Sequence, residues 1–350
     1  MKTLLLLSLA CAMVCLVGNS AMAKGKKMEI KGESLVLAKS IPGNLCFDKI
    51  VKGSVVIRTN FRADKEGTKV YKESADYTVD YAKGTVTRTA NSSIPDYSTN
   101  GSYGVVDFDH GKISNFSNHP YFIWVDYKTT NGKAFAMPND QSKYLDPIHK
   151  RLESGVPFKV VSYGDSIAAG GESSEPNLRF QARFGKYLQE KFPKSKIEVV
   201  DASISGYTSQ QGIDWFDKYL QPVEKPDLVL LGFGMNDHNI PGFGVEVEKF
   251  KQNFITIVKM IRERKGGDVM IFSTMPPNEN WHYGSHRMGQ YAQAAKEAAA
   301  EVKCAYVDVY DVWKMVLKRK DQPSLLGNNI NHPNDFGHWL YEQAFEAVKF

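Results

Sequence analysis

The chain has 350 residues, of which 42% are hydrophobic and 24% are charged, and its formal net charge is +5. This length fits two domains better than one, and the hydrophobic content excludes an intrinsically disordered chain. No basic block is interleaved with aromatic residues in the manner of a nucleic-acid groove, so the sequence argues against a nucleic-acid partner.

Residues 1–23 have the pattern of a cleavable signal peptide. Lys2 gives a positive start, an apolar run covers residues 4–17, and Ala21-Met22-Ala23 is the small-x-small pattern of a cleavage site. The apolar run is short for a bilayer span. We therefore expect an exported protein, secreted or periplasmic, with no stable membrane insertion after the signal is removed.

The N-terminal half alternates short strand-like runs with turn signals. Runs rich in β-branched and aromatic residues lie at 54–58, 77–81 and 121–125, and Gly- or Asn-containing turns lie at 82–84, 100–101, 110–111 and 131–132. This spacing, without a helical pattern, predicts a small all-β sandwich or jelly-roll domain over residues 24–140. The Pro, Asn, Asp and Ser residues between Pro138 and Pro147 predict a linker over residues 141–156.

The hydrophobic period changes at Pro157, and a second domain is predicted over residues 157–350. Apolar runs predict strands at 158–163, 197–200, 227–232, 269–273 and 305–307, and helical spacing predicts helices at 177–192, 210–220, 245–265 and 335–348. Continuous apolar strands that alternate with helices indicate an α/β fold with a parallel sheet covered on both faces. Such sheets bind ligands at the carboxyl ends of their strands, so the residues after each strand are the candidates for a site.

The strand ends carry the groups that acyl transfer needs. Ser166 follows the first strand, at a turn where its hydroxyl is exposed and the N–H groups of the next helix point to the same place. Gly206 follows the second strand and Asn236 the third, so two N–H groups and one amide can hold a tetrahedral oxyanion. The serine also needs a base near neutral pH, which is the natural role of a histidine such as His332.

Together these segments resemble the four sequence blocks of the SGNH (GDSL-type) hydrolases. The blocks are Gly164-Asp165-Ser166, residues 202–209 around Gly206, Gly234-Met235-Asn236-Asp237, and His332-Pro333-Asn334 followed by Gly337-His338. The resemblance covers roughly residues 158–350 and implies a three-layer α/β/α, flavodoxin-like hydrolase domain. It also implies that Ser166 is the nucleophile, that His332 is its base, that Gly206 and Asn236 bind the oxyanion, and that no metal or cofactor takes part.

The sequence departs from this family at Asn329, three residues before His332, where the family usually has an Asp that orients the imidazole. An amide oxygen can accept from the ring N–H, but it brings no negative charge to stabilise the imidazolium. Three interpretations stay open: a Ser-His dyad oriented by a main-chain carbonyl, a substitute carboxylate such as Asp335, or an impaired site.

The segment after the fourth predicted strand is the candidate substrate-binding segment. Trp281, His282 and Tyr283 should border the cleft, where aromatic faces can stack on sugar rings, although core packing is their ordinary role. His282 and His286 are four residues apart, but no Glu follows His282 and Tyr283-Gly284 disfavours a helix, so a zinc site is not expected.

The sequence thus predicts an exported serine esterase that removes acyl groups, with acetyl as the expected group, from carbohydrate. The sugar is inferred from the predicted export, the added β-domain, and members of the resembled family with that layout that deacetylate polysaccharides. One alternative is a lysophospholipase or thioesterase, because the second block also resembles bacterial periplasmic members with those activities. The other is a carbohydrate-binding protein whose hydrolase half is catalytically impaired at Asn329.

Overall fold

The computed structural model describes residues 25–349, so the predicted signal peptide lies outside the described residues. The N-terminal part of this range forms strands, joined by loops and two short 3-10 turns. The strands are β1 Lys26–Leu35, β2 Gly43–Asn44, β3 Val56–Arg58, β4 Tyr77–Asp80, β5 Thr85–Arg88, β6 Ile123–Gly132 and β7 Asn139–Asp140.

Six of these strands form two antiparallel sheets of three strands each, in the orders β1-β6-β3 and β2-β5-β4. β6 is the central strand of the first sheet and pairs with β1 from Lys26 opposite Gly132 to Leu35 opposite Ile123. β4 and β5 form a hairpin closed by the predicted turn, in which Gly84 has a φ of 65°. The prediction of an all-β N-terminal region is therefore confirmed.

The segment that follows corrects the predicted linker. Residues Ser142–Glu153 form helix α1, which contains Pro147. Its Leu145, Ile148 and Leu152 side chains are buried, and their helical spacing gives the helix one apolar face that packs into the core. Most of the stretch from 141 to 156 is therefore a packed element rather than an extended connection.

The remaining chain alternates strands and helices, as predicted. Its strands are β8 Phe158–Gly164, β9 Ile197–Asp201, β10 Leu228–Gly232, β11 Asp268–Phe272, β12 Ala305–Val307 and β13 Val348–Lys349. Its helices are α2 Phe180–Lys191, α3 Ser209–Asp214, α4 Phe216–Tyr219, α5 Val247–Arg264, α6 Met288–Glu301, α7 Val309–Leu317 and α8 Asp335–Glu346.

Strands β8 to β12 form one parallel sheet in the order β12-β11-β10-β8-β9, which confirms the predicted α/β fold. Every residue of β10 and all but one residue of β8 are buried, as expected for central strands covered on both faces. The helices pack in two groups, one of α2, α7 and α8 and the other of α3, α5 and α6. The ends of β8, β9 and β10 therefore meet at one edge of the sheet.

The two halves of the chain share one hydrophobic core within the described residues. The short strand β13 returns to pair with β7, and Glu33 of β1 forms a fully buried ion pair with Lys320, which follows α7. Every helix between residues 25 and 349 is too short or too polar to cross a bilayer.

Candidate active site

The structure brings Ser166 and His332 into contact. Ser166 follows β8, and its Oγ lies 2.6 Å from Nε2 of His332, although 166 residues separate the two in the chain. His332 lies just before α8, whose N-cap is Asn334. Ser166 is only 8% exposed, so the hydroxyl is held in a partly closed site. This geometry is what a serine nucleophile and its base require.

The two predicted oxyanion-binding residues lie in adjacent loops. Gly206 follows β9 with a φ of 80°, and the space that a Cβ would occupy there is open. Asn236 follows β10, and its Nδ2 donates to the carbonyl of Tyr207, 2.9 Å away. Neither the Ser166 N–H nor the Gly206 N–H donates to another group of the described chain. These N–H groups and the second Asn236 amide hydrogen remain our predicted oxyanion donors.

Two buried carboxylates connect the loops of the site. Asp165 accepts the N–H of Met235 at 3.2 Å, and Asp237 accepts the Ser209 hydroxyl at 2.5 Å and the Ser209 N–H at 2.9 Å. Burial raises the pKa of Asp165 to about 6 and that of Asp237 to about 7. The segments after β8, β9 and β10 are thereby tied together. Both residues stand inside the sequence blocks named above, but the sequence alone indicates no role for them.

Asn329, the first predicted base-orienting residue, does not contact His332. Its backbone has a φ of 56°, and its Oδ1 accepts from Nδ2 of Asn118 and of Asn278, each at 3.1 Å. Its own Nδ2 donates to Oγ of Ser102 at 2.5 Å. Asn329 therefore ties the loop before α8 to the N-terminal half of the chain.

Asp335, the second candidate, also points elsewhere. Its carboxylate accepts the N–H of Ser174 at 2.8 Å and the Ser174 hydroxyl at 2.7 Å. Asp335 thus fixes the loop between β8 and α2, and it makes no hydrogen bond to His332 within residues 25–349.

Asn328 lies beside Nδ1 of the His332 imidazole, a contact that was not predicted from the sequence. Its Nδ2 lies 2.5 Å from Nδ1 of His332. Its Oδ1 accepts the backbone N–H groups of Ile330, Asn331 and His332, each at 3.0 Å. Only a general feature of the sequence could have indicated Asn328: Asn side chains commonly accept hydrogen bonds from backbone N–H groups a few residues further along the chain.

Burial and one carboxylate set the electrostatics of His332. Burial lowers the pKa of His332, and the negative charge of Glu172 acts in the opposite direction. Glu172 packs against Gly327, whose N–H donates to the His332 carbonyl at 2.9 Å. Glu172 also pairs with His119 of the N-terminal half, with Nε2 and Oε2 2.5 Å apart. This pairing lowers the pKa of Glu172 and keeps its charge in place.

The candidate substrate-binding segment is corrected at its first residue. Trp281 is 6% exposed, packs against Phe108 and Ile330, and donates from Nε1 to His110 at 3.0 Å. Core packing, the ordinary role of such a residue, is therefore what the structure shows for Trp281, and its buried ring is not available to stack on a sugar.

The other two residues of this segment reach the surface, where they stay candidates. His282 is exposed and its Nδ1 lies 2.9 Å from Asp107, while Tyr283 is half-buried with its ring against Phe243. Within the described range, no three His, Cys, Asp or Glu side chains are grouped closely enough to hold a metal ion.

Known proteins share features with this chain. The sequence profile of the GDSL-like lipase/acylhydrolase family matches residues 162–340, slightly more than half of the chain. Thioesterase 1/protease 1/lysophospholipase L1 of Escherichia coli (strain K12) is 31% identical over 138 residues, which are 39% of this chain and 62% of the relative. The chain therefore spans less than two thirds of that relative's length.

Two solved structures are similar at lower identity. A two-domain esterase (CEX) active on acetylated mannans is 21% identical with a TM-score of 0.47, and the match covers 58% of this chain and 51% of that one. Axe2, an acetylxylan esterase from Geobacillus stearothermophilus, is 23% identical with a TM-score of 0.45, and the match covers 54% of this chain and 92% of that one.

Proposed function

Because the chain belongs to the GDSL-like lipase/acylhydrolase family, we propose that it is an exported serine esterase that removes acetyl groups from carbohydrate. Membership of the family makes the protein a carboxylic ester hydrolase. The observation that carries the mechanism is the 2.6 Å contact between Ser166 Oγ and His332 Nε2. The substrate, the acyl group and the export are the parts that we propose.

The mechanism follows from the positions of these groups. Ser166 Oγ attacks the ester carbonyl while His332 Nε2 takes the hydroxyl proton. The oxyanion is bound by the N–H groups of Ser166 and Gly206 and by the amide of Asn236. His332 then returns the proton to the departing alcohol, and water, activated by the same imidazole, releases the acyl group from Ser166.

The polarity around this pair supports a sugar as the alcohol. The amide of Asn328 contacts His332, the charge of Glu172 acts on it while Glu172 pairs with His119, and a Cβ at Gly206 would have open space around it. Such surroundings can hydrogen-bond the hydroxyl groups of a sugar ring, whereas a long acyl chain needs an apolar wall. The N-terminal pattern of residues 1–23 supports export, where polysaccharides are met.

A second candidate is a thioesterase or lysophospholipase activity. The observation in its favour is the 31% identity to the Escherichia coli relative that carries both names. The two candidates differ in the expected dependence on acyl chain length, because an enzyme that binds a fatty acyl chain gains free energy with every buried methylene.

The test is hydrolysis of p-nitrophenyl acetate, butyrate and octanoate by the wild type and by Ser166→Ala, with acetate release from an acetylated polysaccharide measured alongside. We expect activity that falls with chain length and is lost in the variant. Activity that rises toward octanoate would favour the second candidate. A wild type inert on every substrate, whose Ser166 is not labelled by an organophosphonate, would support the carbohydrate-binding alternative instead.

A further inference from the structure

We propose that Asn328 is the positioning residue of His332, and that its amide holds the resting imidazole in the tautomer that carries its proton on Nε2. This tautomer is the wrong one for a base. The inference rests on the proposed serine esterase function. It concerns the protonation state of His332 in the enzyme without substrate.

The direction of the Asn328 amide is fixed by its neighbours. Its oxygen accepts three backbone N–H groups at 3.0 Å, and its Nδ2 donates to Oδ1 of Asn331 at 3.0 Å. Turning the amide over would leave its oxygen facing the Asn331 oxygen and its N–H groups facing three donors. Unsatisfied buried donors and acceptors are costly, so the observed direction is strongly favoured.

This direction decides the state of the imidazole. The Asn328 N–H groups face Nδ1 of His332 at 2.5 Å, so Nδ1 must accept and cannot carry a proton. A neutral imidazole then has its proton on Nε2, which lies 2.6 Å from Ser166 Oγ. At rest, His332 therefore donates to the serine hydroxyl instead of accepting from it.

The catalytic step needs the opposite arrangement. To take the Ser166 proton, Nε2 must offer a lone pair, and the proton of the neutral ring must sit on Nδ1. That proton, and the second proton of the imidazolium, would face the N–H groups of Asn328. The hydrogen bonds of the Asn328 amide must therefore break before His332 can accept the Ser166 proton. Only a minor fraction of the enzyme molecules is then able to react at any moment.

A carboxylate at this position would remove the restraint. In Asn328→Asp, one oxygen keeps the three backbone N–H groups, and the other lies where Nδ2 lies now and accepts from Nδ1–H. Asn331 tolerates the change, because its oxygen has no other partner among the described residues and its amide can rotate to donate to the new carboxylate. Position 328 can thus accommodate the carboxylate that a serine triad places behind its histidine.

The test combines kinetics with the tautomeric state of the full-length protein. We expect Asn328→Asp to raise kcat on p-nitrophenyl acetate by about ten-fold or more, since an amide behind the base of a serine hydrolase costs up to about 10⁴-fold in kcat. Asn329→Asp is the matched control: it adds the same charge one residue away, makes no contact with His332, and should give no rise.

Nitrogen chemical shifts of His332 measured by NMR at about pH 8, where the ring is neutral, read the tautomer without any activity. We expect Nε2–H in the wild type and Nδ1–H in Asn328→Asp. Nδ1–H in the wild type, or an unchanged or lower kcat in a folded Asn328→Asp, would overturn the inference. If the variant fails to fold, the wild-type spectrum still decides. If the wild type shows Nε2–H but hydrolyses none of the esters, the proposed function is contradicted and this inference is not.

Discussion

At the scale of single residues, the site differs from the usual serine triad in where its negative charge lies. Among residues 25–349, the side chain beside Nδ1 of His332 is the amide of Asn328 and not a carboxylate. The carboxylate that acts on His332 is Glu172, which lies on the loop after the nucleophile and is held by His119. The side chain beside Nδ1 of His332 and the side chain that supplies a negative charge to it are thus two different residues.

This separation gives a pH prediction. His332 must be neutral to act as a base, and burial lowers its pKa from the ordinary value of 6.5, so the acid limb of kcat/KM should lie below pH 6.5. Glu172→Gln removes the charge that favours the imidazolium. The pKa of His332 should then fall further, and the acid limb should move to lower pH.

The measurement is the pH profile of kcat/KM on p-nitrophenyl acetate for the wild type and for Glu172→Gln. Glu175→Gln is a suitable control, because Glu175 lies on the same loop but pairs with Arg62, away from the base. An acid limb that stays in place, or moves to higher pH, in Glu172→Gln would show that Glu172 does not act on His332.

The residues of the Ser-His pair could be predicted from the sequence, whereas the partner of the base could not. Ser166, Gly206, Asn236 and His332 stand at strand ends or before the last helix, and the period of the strands fixes where those ends meet. The sequence does not distinguish Asn328 from Asn329 as the partner of the imidazole. In the structure Asn329 has a φ of 56° and its side chain contacts Asn118, whereas the Asn328 side chain contacts the imidazole.

At the scale of elements, hydrogen bonds to buried carboxylates hold the loops of the site together. Asp237, after β10, binds the first residue of α3, and Asp165, after β8, binds Met235. Both carboxylates are fully buried and have raised pKa values. The sheet edge is therefore organised by charges whose burial has a cost for the stability of the fold.

That cost predicts a pH-dependent difference in stability. The pKa of Asp237 is about 7 in the fold against 3.8 as the ordinary value, so between pH 4 and 7 the folded protein holds a proton that the unfolded chain has lost. The contribution of this group to stability thus falls as the pH rises through that range. Asp237→Asn, which stays neutral, should be least stable relative to the wild type at pH 5 and regain about 2 kcal/mol of that difference by pH 8.

The measurement is urea unfolding of both proteins at the two pH values. A stability difference that is the same at pH 5 and pH 8 would mean that Asp237 has the same pKa in the folded and unfolded states. A difference that grows with pH would mean that hydrogen bonds in the fold stabilise the charged form of Asp237.

The elements themselves could be predicted where the hydrophobic period was plain. All five strands of the parallel sheet and helices α2, α5 and α8 match the predicted positions within a few residues. The predicted helix over 210–220 is broken at Trp215 into α3 and α4. Helix α1 was missed because Pro147 and its polar neighbours suggested a linker, while the buried spacing of Leu145, Ile148 and Leu152 became visible only from the packing.

Two further helices were missed for a different reason. α6 is rich in Ala and buries small side chains against α5, so its apolar face is weak in a hydrophobicity pattern. α7 starts two residues after β12, and its apolar residues continue the strand pattern without a turn signal. In both cases the neighbours in the fold decide the structure.

At the scale of the whole molecule, the N-terminal half supports the catalytic loop directly. Asn118 and Ser102 hold Asn329, and His119 holds Glu172. The halves are joined further by the buried pair of Glu33 and Lys320. From the sequence the two halves are predicted as separate domains, because contacts between distant segments leave no periodic signal in either one.

This continuity gives a prediction about cooperativity. Both side chains of the Glu33–Lys320 pair are fully buried, and Glu33 also accepts from Tyr127 at 2.7 Å. Lys320→Met leaves the buried Glu33 charge without its cation and should lower the free energy of unfolding by about 3–5 kcal/mol. Lys83→Met, at an exposed ion pair with Asp80, should cost less than about 1 kcal/mol.

Because the core is continuous, the loss in Lys320→Met should appear equally in both halves, although Lys320 lies outside the Ser166–His332 site. Urea unfolding followed by far-ultraviolet circular dichroism and by residual esterase activity should give coincident midpoints, both shifted to lower urea. Adding Glu33→Gln to Lys320→Met should recover part of the shift in the urea midpoint, since the side chain at position 33 is then neutral. If activity kept its wild-type midpoint while the dichroism shifted, the α/β half would fold independently, and the N-terminal half would be an attachment and not a structural part of the active site.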